Sequence, residues 1–362
     1  MKISNLALDH VVLKLPKPIG FALGQIRELG CLLVTLRDSD GATGESLVFT
    51  INDNRTRVFI EMIRSLEPII LGRPRHAIGE FWSEAWKSIN FFGHKGVTIV
   101  GLSAIDCALW DLNGKAAGLP LSRMLGGARA RVETYHSGGL WLSMSLDELA
   151  GQAHQFVGEG FRAIKLRLGS PTLAADESRV KTVRDAIGPS IKLMVDANQG
   201  LDEPEALRRG RMLEKYDLTW YEEPLPAWDV EGLARVAAAI DTPIASGETE
   251  YTRYGFLRML QLRSADVLMP DLQRVGGVTE FMKVGHVADA YDVPVSSHLF
   301  PEMSVQLLGA LSNATYLEYM PWFSSLYNET LDIRDGFANV PDRPGFGFTF
   351  NRDVIEHLKR TT

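Results

Sequence analysis

Cysteine is scarce in this sequence, and long apolar runs are missing. Only Cys31 and Cys107 occur among the 362 residues, both within apolar segments. Two cysteines cannot build a disulfide framework, so we expect free thiols and a reducing compartment. No apolar stretch reaches the ~18 residues that a membrane-spanning helix needs, and the N-terminus lacks the apolar core of a secretion signal. The expectation is a cytoplasmic protein with no membrane partner.

Runs of positive charge are also missing. The net charge of −7 at pH 7 argues against nucleic acid and anionic membranes as partners, because both require basic patches. A hydrophobic content of 45% is that of ordinary globular proteins, so a packed core is expected. At 362 residues the chain exceeds the ~250 that one strand–helix barrel needs, which predicts a second, smaller domain.

The segment from Ala163 to Tyr319 repeats one pattern, in which a short apolar run ends in a polar residue and a helical pattern follows. Apolar runs bounded by turn residues predict buried strands. The repeat of roughly 25 residues is close to that of a barrel unit, and a further strand at 131–135 completes a count of eight. The sequence therefore predicts an α/β fold, a TIM-type barrel whose polar strand ends gather at one mouth.

Residues 1–125 follow a different pattern. Strand signals, interrupted by a predicted glycine-bounded loop at 21–29, precede several helical patterns. We predict an α+β domain there and the barrel at 126–330, because helix-closing and paired glycines mark the junction. The strand–helix pattern fades after Glu318, so the last unit is expected to be incomplete and the tail 331–362 to return to the first domain.

Three acids, Asp196, Glu222 and Glu248, end three consecutive predicted strands. Neighbouring strand ends of a closed barrel lie within ~5 Å of each other, so the carboxylates would converge. Three anions at close range repel one another unless a cation neutralises them, and an oxygen-only donor set suits Mg²⁺. The alternative is three unconnected acids on solvated loops. Asn198 and Glu223, beside the set, are candidates for supporting contacts.

Two further pairs of polar residues occupy strand ends. Lys165 and Arg167 flank one residue of the second strand, and alternation sends both side chains to the barrel mouth, where a cation can hold a substrate carboxylate. The competing interpretation is a surface pair on an edge strand. Asp271 and His298 end the sixth and seventh strands. A carboxylate beside an imidazole raises its basicity, as a general base requires.

Glu318 ends the eighth strand in an apolar setting. A carboxyl group in such a pocket is expected to stay protonated and to donate a hydrogen bond to a developing oxyanion. Together the candidates predict a reaction class on a small carboxylic acid. Mg²⁺ and Lys165 bind the substrate carboxylate, and His298 removes the adjacent proton. The metal, Lys165 and Glu318 stabilise the resulting enediolate.

These segments resemble those of the mandelate racemase group of the enolase superfamily, over nearly the whole chain. The resemblance implies a modified (β/α)₇β barrel under an N-terminal α+β capping domain, Mg²⁺ on the three acids, a His298–Asp271 dyad and Glu318 as electrophile. Ser137 lies where the group contacts the substrate carboxylate, and it joins Asn198 as a candidate substrate-binding residue. Asp271 replaces the sixth-strand lysine of the muconate-cycloisomerase-like and enolase-like branches, which argues against them. The matching stretches are GFRAIK at 160–165, MVDANQ at 194–199, WYEEP at 220–224, GE at 247–248, MPD at 269–271, GG at 276–277 and SSHLF at 296–300.

One position separates the possible reactions. Mandelate racemase and many relatives carry Lys-x-Lys on the second strand, whereas this chain has Lys165-Leu166-Arg167. Arginine stays protonated in proteins and is a poor base. Racemisation needs a base on each face of the substrate, but dehydration can use His298 alone. We therefore predict dehydration of an acid sugar to a 2-keto-3-deoxy acid, with a 2-hydroxyacid racemase as the alternative.

The segment predicted to cap the site is rather apolar for a polyhydroxy acid. Between residues 19 and 29, Gln25 and Arg27 are the clear polar candidates, and Phe49, Ile51 and Leu299 are apolar as well. A less polar, mandelate-like acid would suit such a cap better. Packing of one domain against the other explains the same residues, and both interpretations stay open.

Two further classes of protein are less consistent with the sequence. A non-catalytic barrel that only binds a metal or an acidic ligand would leave the Asp271–His298 pair without a role. A zinc hydrolase barrel would need a His-x-His at a strand end, and the sequence has none. Because barrels of this kind are often symmetric oligomers, a homo-oligomer is expected.

Overall fold

The computed structural model describes residues 1–360; residues 361 and 362, the end of the predicted tail, lie outside the described part. The chain begins with a three-stranded antiparallel sheet in the order β1-β2-β3. One face of this sheet, including Leu32 and Val34, is fully buried beneath helices. The strands are β1 (Ile3–Phe21), β2 (Gly24–Asp38) and β3 (Thr43–Ile51).

The prediction of a loop at 21–29 is wrong. β1 and β2 continue through this segment as a hairpin that pairs Phe21 with Gly24. Gly24 has a φ of +146°, a conformation that glycine adopts without steric cost, and it allows the tight turn. The missed signal was strand alternation, because Ile26 is buried while both of its neighbours are exposed.

Helices pack on the sheet and complete the N-terminal domain. The longest, α4, is buried on nearly all sides because it lies between the sheet and the barrel. Asp106 of α4 accepts a hydrogen bond from the backbone N–H of Thr279, at 2.9 Å, on the barrel side. The helix ends at Gly118, which has a φ of +68°. The helices are α1 (Thr56–Ser65), α2 (Glu67–Ile70), α3 (Ile78–Ser88), α4 (Val97–Ala117) and α5 (Leu121–Met124).

A closed barrel of parallel strands follows. Each assigned strand pairs with the next from β4 to β9, and β10 pairs with β4, which closes the ring. The seventh position is occupied by 293–298, which joins its neighbours through single bridges such as Leu268–Val295 and Asp271–His298. The strands are β4 (Arg131–His136), β5 (Ala163–Arg167), β6 (Lys192–Asp196), β7 (Trp220–Glu222), β8 (Ile244–Ser246), β9 (Val267–Leu268) and β10 (Tyr316–Tyr319).

Helices connect the barrel strands, and the chain after β10 enters a 3₁₀ turn at Ser324–Leu326 instead of a barrel helix. This arrangement is the expected (β/α)₇β barrel, and the predicted α/β fold class with an N-terminal α+β capping domain is confirmed. In the described residues no helix has the length and apolar character to cross a membrane. The helices are α6 (Leu146–Gly158), α7 (Leu173–Ile187), α8 (Glu203–Leu213), α9 (Val230–Ala237), α10 (Thr252–Leu262), α11 (Leu272–Val275), α12 (Gly277–Asp289) and α13 (Pro301–Ala310).

The interior of the barrel determines which side chains reach its mouth. Met194 and Trp220 belong to a buried layer that fills the barrel. Since side chains alternate along a strand, Asp196 and Glu222, two residues further on, point to the same interior and emerge above that layer. The layer is therefore the floor of the polar site.

The C-terminal tail contacts both parts of the molecule. A hairpin of β11 (Ile333–Arg334) and β12 (Phe337–Asn339) pairs through β12 with β4 of the barrel. The last helix, α14 (Arg352–Leu358), packs near β1, and the N–H of Arg360 donates to the carbonyl of His10 at 2.8 Å. The domain limits at 125 and 330 stay predictions.

Candidate active site

The three acids predicted as metal ligands converge at the barrel mouth. Each of Asp196, Glu222 and Glu248 offers an oxygen, and these oxygens lie within 4.8 Å of one another. Asp196 and Glu222 end β6 and β7, whose last residues pair directly. Glu248 follows Gly247, whose φ of +128° turns the chain beyond β8 and brings the carboxylate back to the mouth.

Lys165 lies at the centre of the charged cluster above that floor. Its Nζ lies 2.7 Å from Glu222 Oε1, 2.9 Å from Glu318 Oε1 and 3.4 Å from Asp196 Oδ2. Burial alone would lower the pKa of Lys165, but Glu222, Glu318 and Asp196 raise it above its ordinary value. The ammonium group therefore stays charged beneath the acids.

One lysine does not neutralise this concentration of negative charge. Burial raises the pKa of Glu222 well above its ordinary value, and the neighbouring Asp196 raises it further. Trp220 Nε1 donates to Glu222 Oε2 at 3.0 Å, which fixes the orientation of that carboxylate. A divalent cation would relieve the repulsion, and a cluster with only carboxylate oxygens as donors has the chemistry that Mg²⁺ prefers. The residues present therefore fit a Mg²⁺ ion.

Asp271 and His298 form the expected pair. His298 Nδ1 lies 2.8 Å from Asp271 Oδ2, and the other oxygen of Asp271 accepts the backbone N–H of Arg274 at 2.9 Å. This leaves Nε2 of the imidazole as the proton-transfer atom, 3.2 Å from Glu248 Oε2. Burial would lower the pKa of His298, but Glu248, Glu318 and Asp271 together raise it to about 9.

The expectation that Glu318 stays protonated is wrong. Burial would raise the pKa of this carboxyl group, but Lys165, His298 and Arg167 hold it well below its ordinary value. Its oxygens accept hydrogen bonds from Ser137 Oγ at 2.6 Å and from the backbone N–H of Leu299 at 2.7 Å. The apolar neighbours in sequence gave no indication of these donors, because the donors come from other strands.

Arg167 is held in place by the loop that follows β4. Its Nη1 and Nη2 donate to the carbonyl and the hydroxyl of Ser137 at 3.0 and 2.9 Å, and its guanidinium lies 4.4 Å from the centre of the Trp141 ring. Nε lies 3.7 Å from Asp196 Oδ2. The surface-pair interpretation of Lys165 and Arg167 is excluded, because both side chains are buried in the mouth.

Asn198 and Glu223 flank the acid cluster as expected from their positions. Asn198 Nδ2 donates to Asp196 Oδ2 at 2.9 Å, while its own Oδ1 is buried without a hydrogen-bond partner. Glu223 accepts from Ser246 Oγ and the backbone N–H of Gly247, both at 3.1 Å. Burial raises the pKa of Glu223 to about 7, with the charge of Glu248 adding to the effect.

The cavity above the floor contains residues that the sequence did not indicate. Trp141 and Trp322 stack with ring planes 14° apart, and Met320 and Arg274 also line the cavity. Each of the residues from the barrel follows a strand end by a few positions, so proximity to a strand end was the available signal. The predicted apolar candidates Phe49, Ile51 and Leu299 line the cavity as well.

Several polar candidates lie elsewhere. Gln25 and Arg27 are exposed and do not line the cavity. His136, which ends β4, is buried outside the mouth and stacks on Phe156 with ring centres 3.6 Å apart. Burial lowers the pKa of His136 to about 3, so it is a neutral packing residue.

A carboxylate cluster beside a His–Asp pair, at the mouth of a capped barrel, defines the class of enzymes that remove a proton next to a substrate carboxylate. Comparison with known proteins agrees with this class. Residues 5–126 match the N-terminal domain of the mandelate racemase/muconate lactonizing enzyme family, and residues 148–354 match the enolase C-terminal domain-like family. The chain therefore belongs to the mandelate racemase/muconate lactonizing enzyme family, which confirms the resemblance.

Similar proteins include both dehydratases and a racemase. Arabinonate dehydratase from Saccharolobus solfataricus is 34% identical over 90% of this chain and 89% of its own length. L-talarate dehydratase from Polaromonas sp. JS666, solved with magnesium and L-glucarate, has a TM-score of 0.93 and 33% identity, covering 99% of this chain and 98% of its own. A racemase from Streptomyces coelicolor A3(2) with bound magnesium has a TM-score of 0.95 and 32% identity, covering 99% and 100%.

Proposed function

We propose that this protein is a Mg²⁺-dependent acid-sugar dehydratase that converts an aldonate or aldarate to a 2-keto-3-deoxy acid. The observation that carries the proposal is the asymmetry of the mouth. A dyad-held imidazole, His298, provides a base on one side, while Arg167 occupies the place where racemases of the group carry a second lysine. The similarity to arabinonate and L-talarate dehydratases supports the same reaction.

Substrate binding is assigned to the charged cluster in the mouth. Asp196, Glu222 and Glu248 would hold the Mg²⁺, which supplies positive charge that makes the proton beside a bound carboxylate more acidic. Lys165 Nζ contacts two of these acids, Glu222 and Asp196, and provides a second positive charge for the carboxylate. Asn198, whose Oδ1 has no protein partner, is assigned to a substrate hydroxyl.

His298 performs both proton transfers. Its Nε2 takes the proton from C2, and the electron pair of that C–H bond forms the enediolate. The C3–O bond then breaks, and the proton held on Nε2 goes to the departing hydroxyl, which leaves as water. The enol product rearranges to the 2-keto-3-deoxy acid. Asp271 holds Nδ1 throughout, so that Nε2 alone faces the substrate.

Arg167 and Ser137 orient the substrate in this proposal. Because both Nη groups of Arg167 are bound to Ser137, the guanidinium is fixed and can direct its charge at one substrate oxygen. Arginine stays protonated, so the face opposite His298 has no base. The racemase from Streptomyces coelicolor keeps 2-hydroxyacid racemisation as the second candidate function.

The test is a screen of aldonic and aldaric acids for 2-keto acid formation with Mg²⁺, combined with exchange of the C2 proton in D₂O. His298→Asn is expected to lose dehydration by ~10²- to 10⁴-fold and to lose exchange completely. His154→Asn, on the exposed side of α6, is the matched control and should retain both. Retained exchange in His298→Asn would exclude His298 as the base. Interconversion of both enantiomers of a 2-hydroxyacid at similar rates would favour the racemase.

Location and assembly belong to the same proposal. Cys31 and Cys107 are buried as free thiols, which is compatible with a cytoplasmic protein. A homo-oligomer is proposed because barrels of this kind are often symmetric oligomers. The mass of the protein in solution tests this proposal directly.

A further inference from the structure

The cavity is divided into a polar half and an apolar half. All of its charged and amide side chains belong to the barrel. The capping sheet contributes only carbon side chains, and the wall beyond the floor is completed by apolar and indole groups of the barrel loops. The capping residues that line the cavity are Phe21, Ile26, Phe49 and Ile51.

The apolar half is continuous. Trp141 and Trp322 stack with ring centres 6.4 Å apart, and Phe49 meets Trp322 edge-on at 6.2 Å. Phe49 also packs on Phe323 at 5.2 Å. The guanidinium of Arg167 lies against the Trp141 ring and fixes the end of this aromatic wall that adjoins the polar half. The aromatic groups are therefore held in place before a substrate arrives.

This wall offers few partners to a hydroxyl group. Lys165, bound by three acids, and Arg167, whose Nη groups are both bound to Ser137, lie in the polar half and are assigned to the reacting end of the substrate. Arg274 directs Nη1 to the carbonyl of Glu248 at 3.0 Å and lies beside Asp271. Among the described residues that line the cavity, the two tryptophans carry the only side-chain N–H donors of the apolar half, their indole N–H groups. A hydroxyl group buried there without a partner is unfavourable, whereas alkyl or aryl carbon is stabilised by burial.

We propose that the preferred substrate is a deoxygenated aldonate, a 2,3-dihydroxy acid whose chain beyond C3 lacks most of its hydroxyl groups and ends in an alkyl or aryl group. The inference rests on the proposed dehydration, which uses only the carboxylate, the C2 proton and the C3 hydroxyl. Those three groups occupy the polar half, between His298 and Lys165. The remainder of the molecule contacts the apolar half and determines specificity.

Matched pairs of acids test the inference. Each of the four C2/C3 stereoisomers of 2,3-dihydroxyhexanoate is compared with a hexonate of the same C2/C3 configuration, with Mg²⁺ present. The apolar acid is expected to have the higher kcat/KM by about tenfold to a hundredfold, the range over which apolar pockets reject added hydroxyls. A hexonate that reacts equally well or better overturns the inference and leaves the dehydratase standing. If neither kind exchanges its C2 proton in D₂O, the proposed function fails and the inference fails with it.

A change in the wall provides the second readout. Ile51 is 36% exposed, so Ile51→Gln can introduce an amide without burying it fully. The variant is expected to reduce the preference for the dihydroxyhexanoate at least about threefold, by giving a hydroxyl group a partner. Arg27→Gln, on the exposed side of the capping hairpin, is the matched control and should leave the preference unchanged. An unchanged preference in Ile51→Gln would contradict the assignment of this wall.

Binding of acids that cannot be dehydrated separates specificity from catalysis. 2-Hydroxyhexanoate and 3-deoxyhexonate both lack the C3 hydroxyl, and their affinities for the Mg²⁺-loaded protein can be compared by calorimetry. The first is expected to bind about tenfold more tightly. Tighter binding of the 3-deoxyhexonate would overturn the inference.

Discussion

The barrel and the capping sheet form two halves of one cavity, and they do so by different rules. In the barrel the side-chain period of two, counted from the buried layer, sends polar residues such as Lys165, Asp196 and Glu222 into the mouth. In the cap one hairpin decides which residues face inward, with Ile26 inside and its neighbours outside. The comparison teaches that the barrel carries the chemistry, in a form that strand ends reveal, while the cap carries the fit to the rest of the substrate.

Removal of the metal, which acts on the barrel half alone, is expected to have the largest effect on activity. Incubation with EDTA should abolish dehydration, and Mg²⁺ should restore it. Glu222→Gln should lower kcat/KM by ~10³-fold even with saturating Mg²⁺, because a ligand and an anchor of Lys165 are lost together. Steady-state kinetics with added metal measures both effects. Full activity in EDTA would contradict the metal assignment.

Arg167→Lys tests the asymmetry within the barrel half. The lysine cannot reproduce both hydrogen bonds to Ser137 or the stacking on Trp141, so dehydration should fall by ~10- to 100-fold. It also introduces a group that can lose its proton, so C2 exchange should appear in the epimer that the native protein leaves unchanged. NMR in D₂O measures the exchange of the C2 proton in each epimer. Exchange of both epimers by the native protein would remove the one-base argument.

The affinity of the same site for Mg²⁺ is expected to depend on pH. The pKa of His298 is about 9 despite burial, because Glu248, Glu318 and Asp271 favour its charged form. Below that pH the imidazolium repels a cation at Glu248, 3.2 Å away, and above it the repulsion disappears. The affinity for Mg²⁺ should therefore rise with pH, by up to about tenfold per unit, and level off above pH 9. Calorimetric titration from about pH 6.5 to about pH 10 measures the slope, and His298→Asn should flatten it.

In the barrel half of the site, the sequence predicted the positions of the side chains better than their protonation states. Asp196, Glu222 and Lys165 come together because register and alternation are local properties that a strand pattern contains. The charge of Glu318 depends on donors from other strands, chiefly Lys165 Nζ at 2.9 Å, and no local pattern contains these. Glu318 therefore appeared protonated from its apolar neighbours and is ionised in the folded chain.

The cap half was harder to predict for a different reason. A hairpin whose turn is made by Gly24 resembles a loop in sequence, because glycine marks both. Because the hairpin was not predicted, the sequence did not show that Gln25 and Arg27 lie on the outer side or that Ile26 lies inside. Trp141 and Trp322 come from separate loops after β4 and β10, and only closure of the barrel brings their rings together.

The smallest expected effect distinguishes the two sides of that hairpin. Gln25→Ala and Arg27→Ala should each change kcat/KM by less than about twofold, because both side chains are exposed and neither lines the cavity. The backbone N–H of Arg27, which donates to Asn52 Oδ1 at 2.7 Å, is retained in the alanine variant, so the hairpin should keep its position. Kinetics with the best acid from the screen measures the effect. A tenfold loss in either variant would show that the hairpin turns an exposed polar residue toward the substrate, and the division between a polar barrel and an apolar cap would no longer hold.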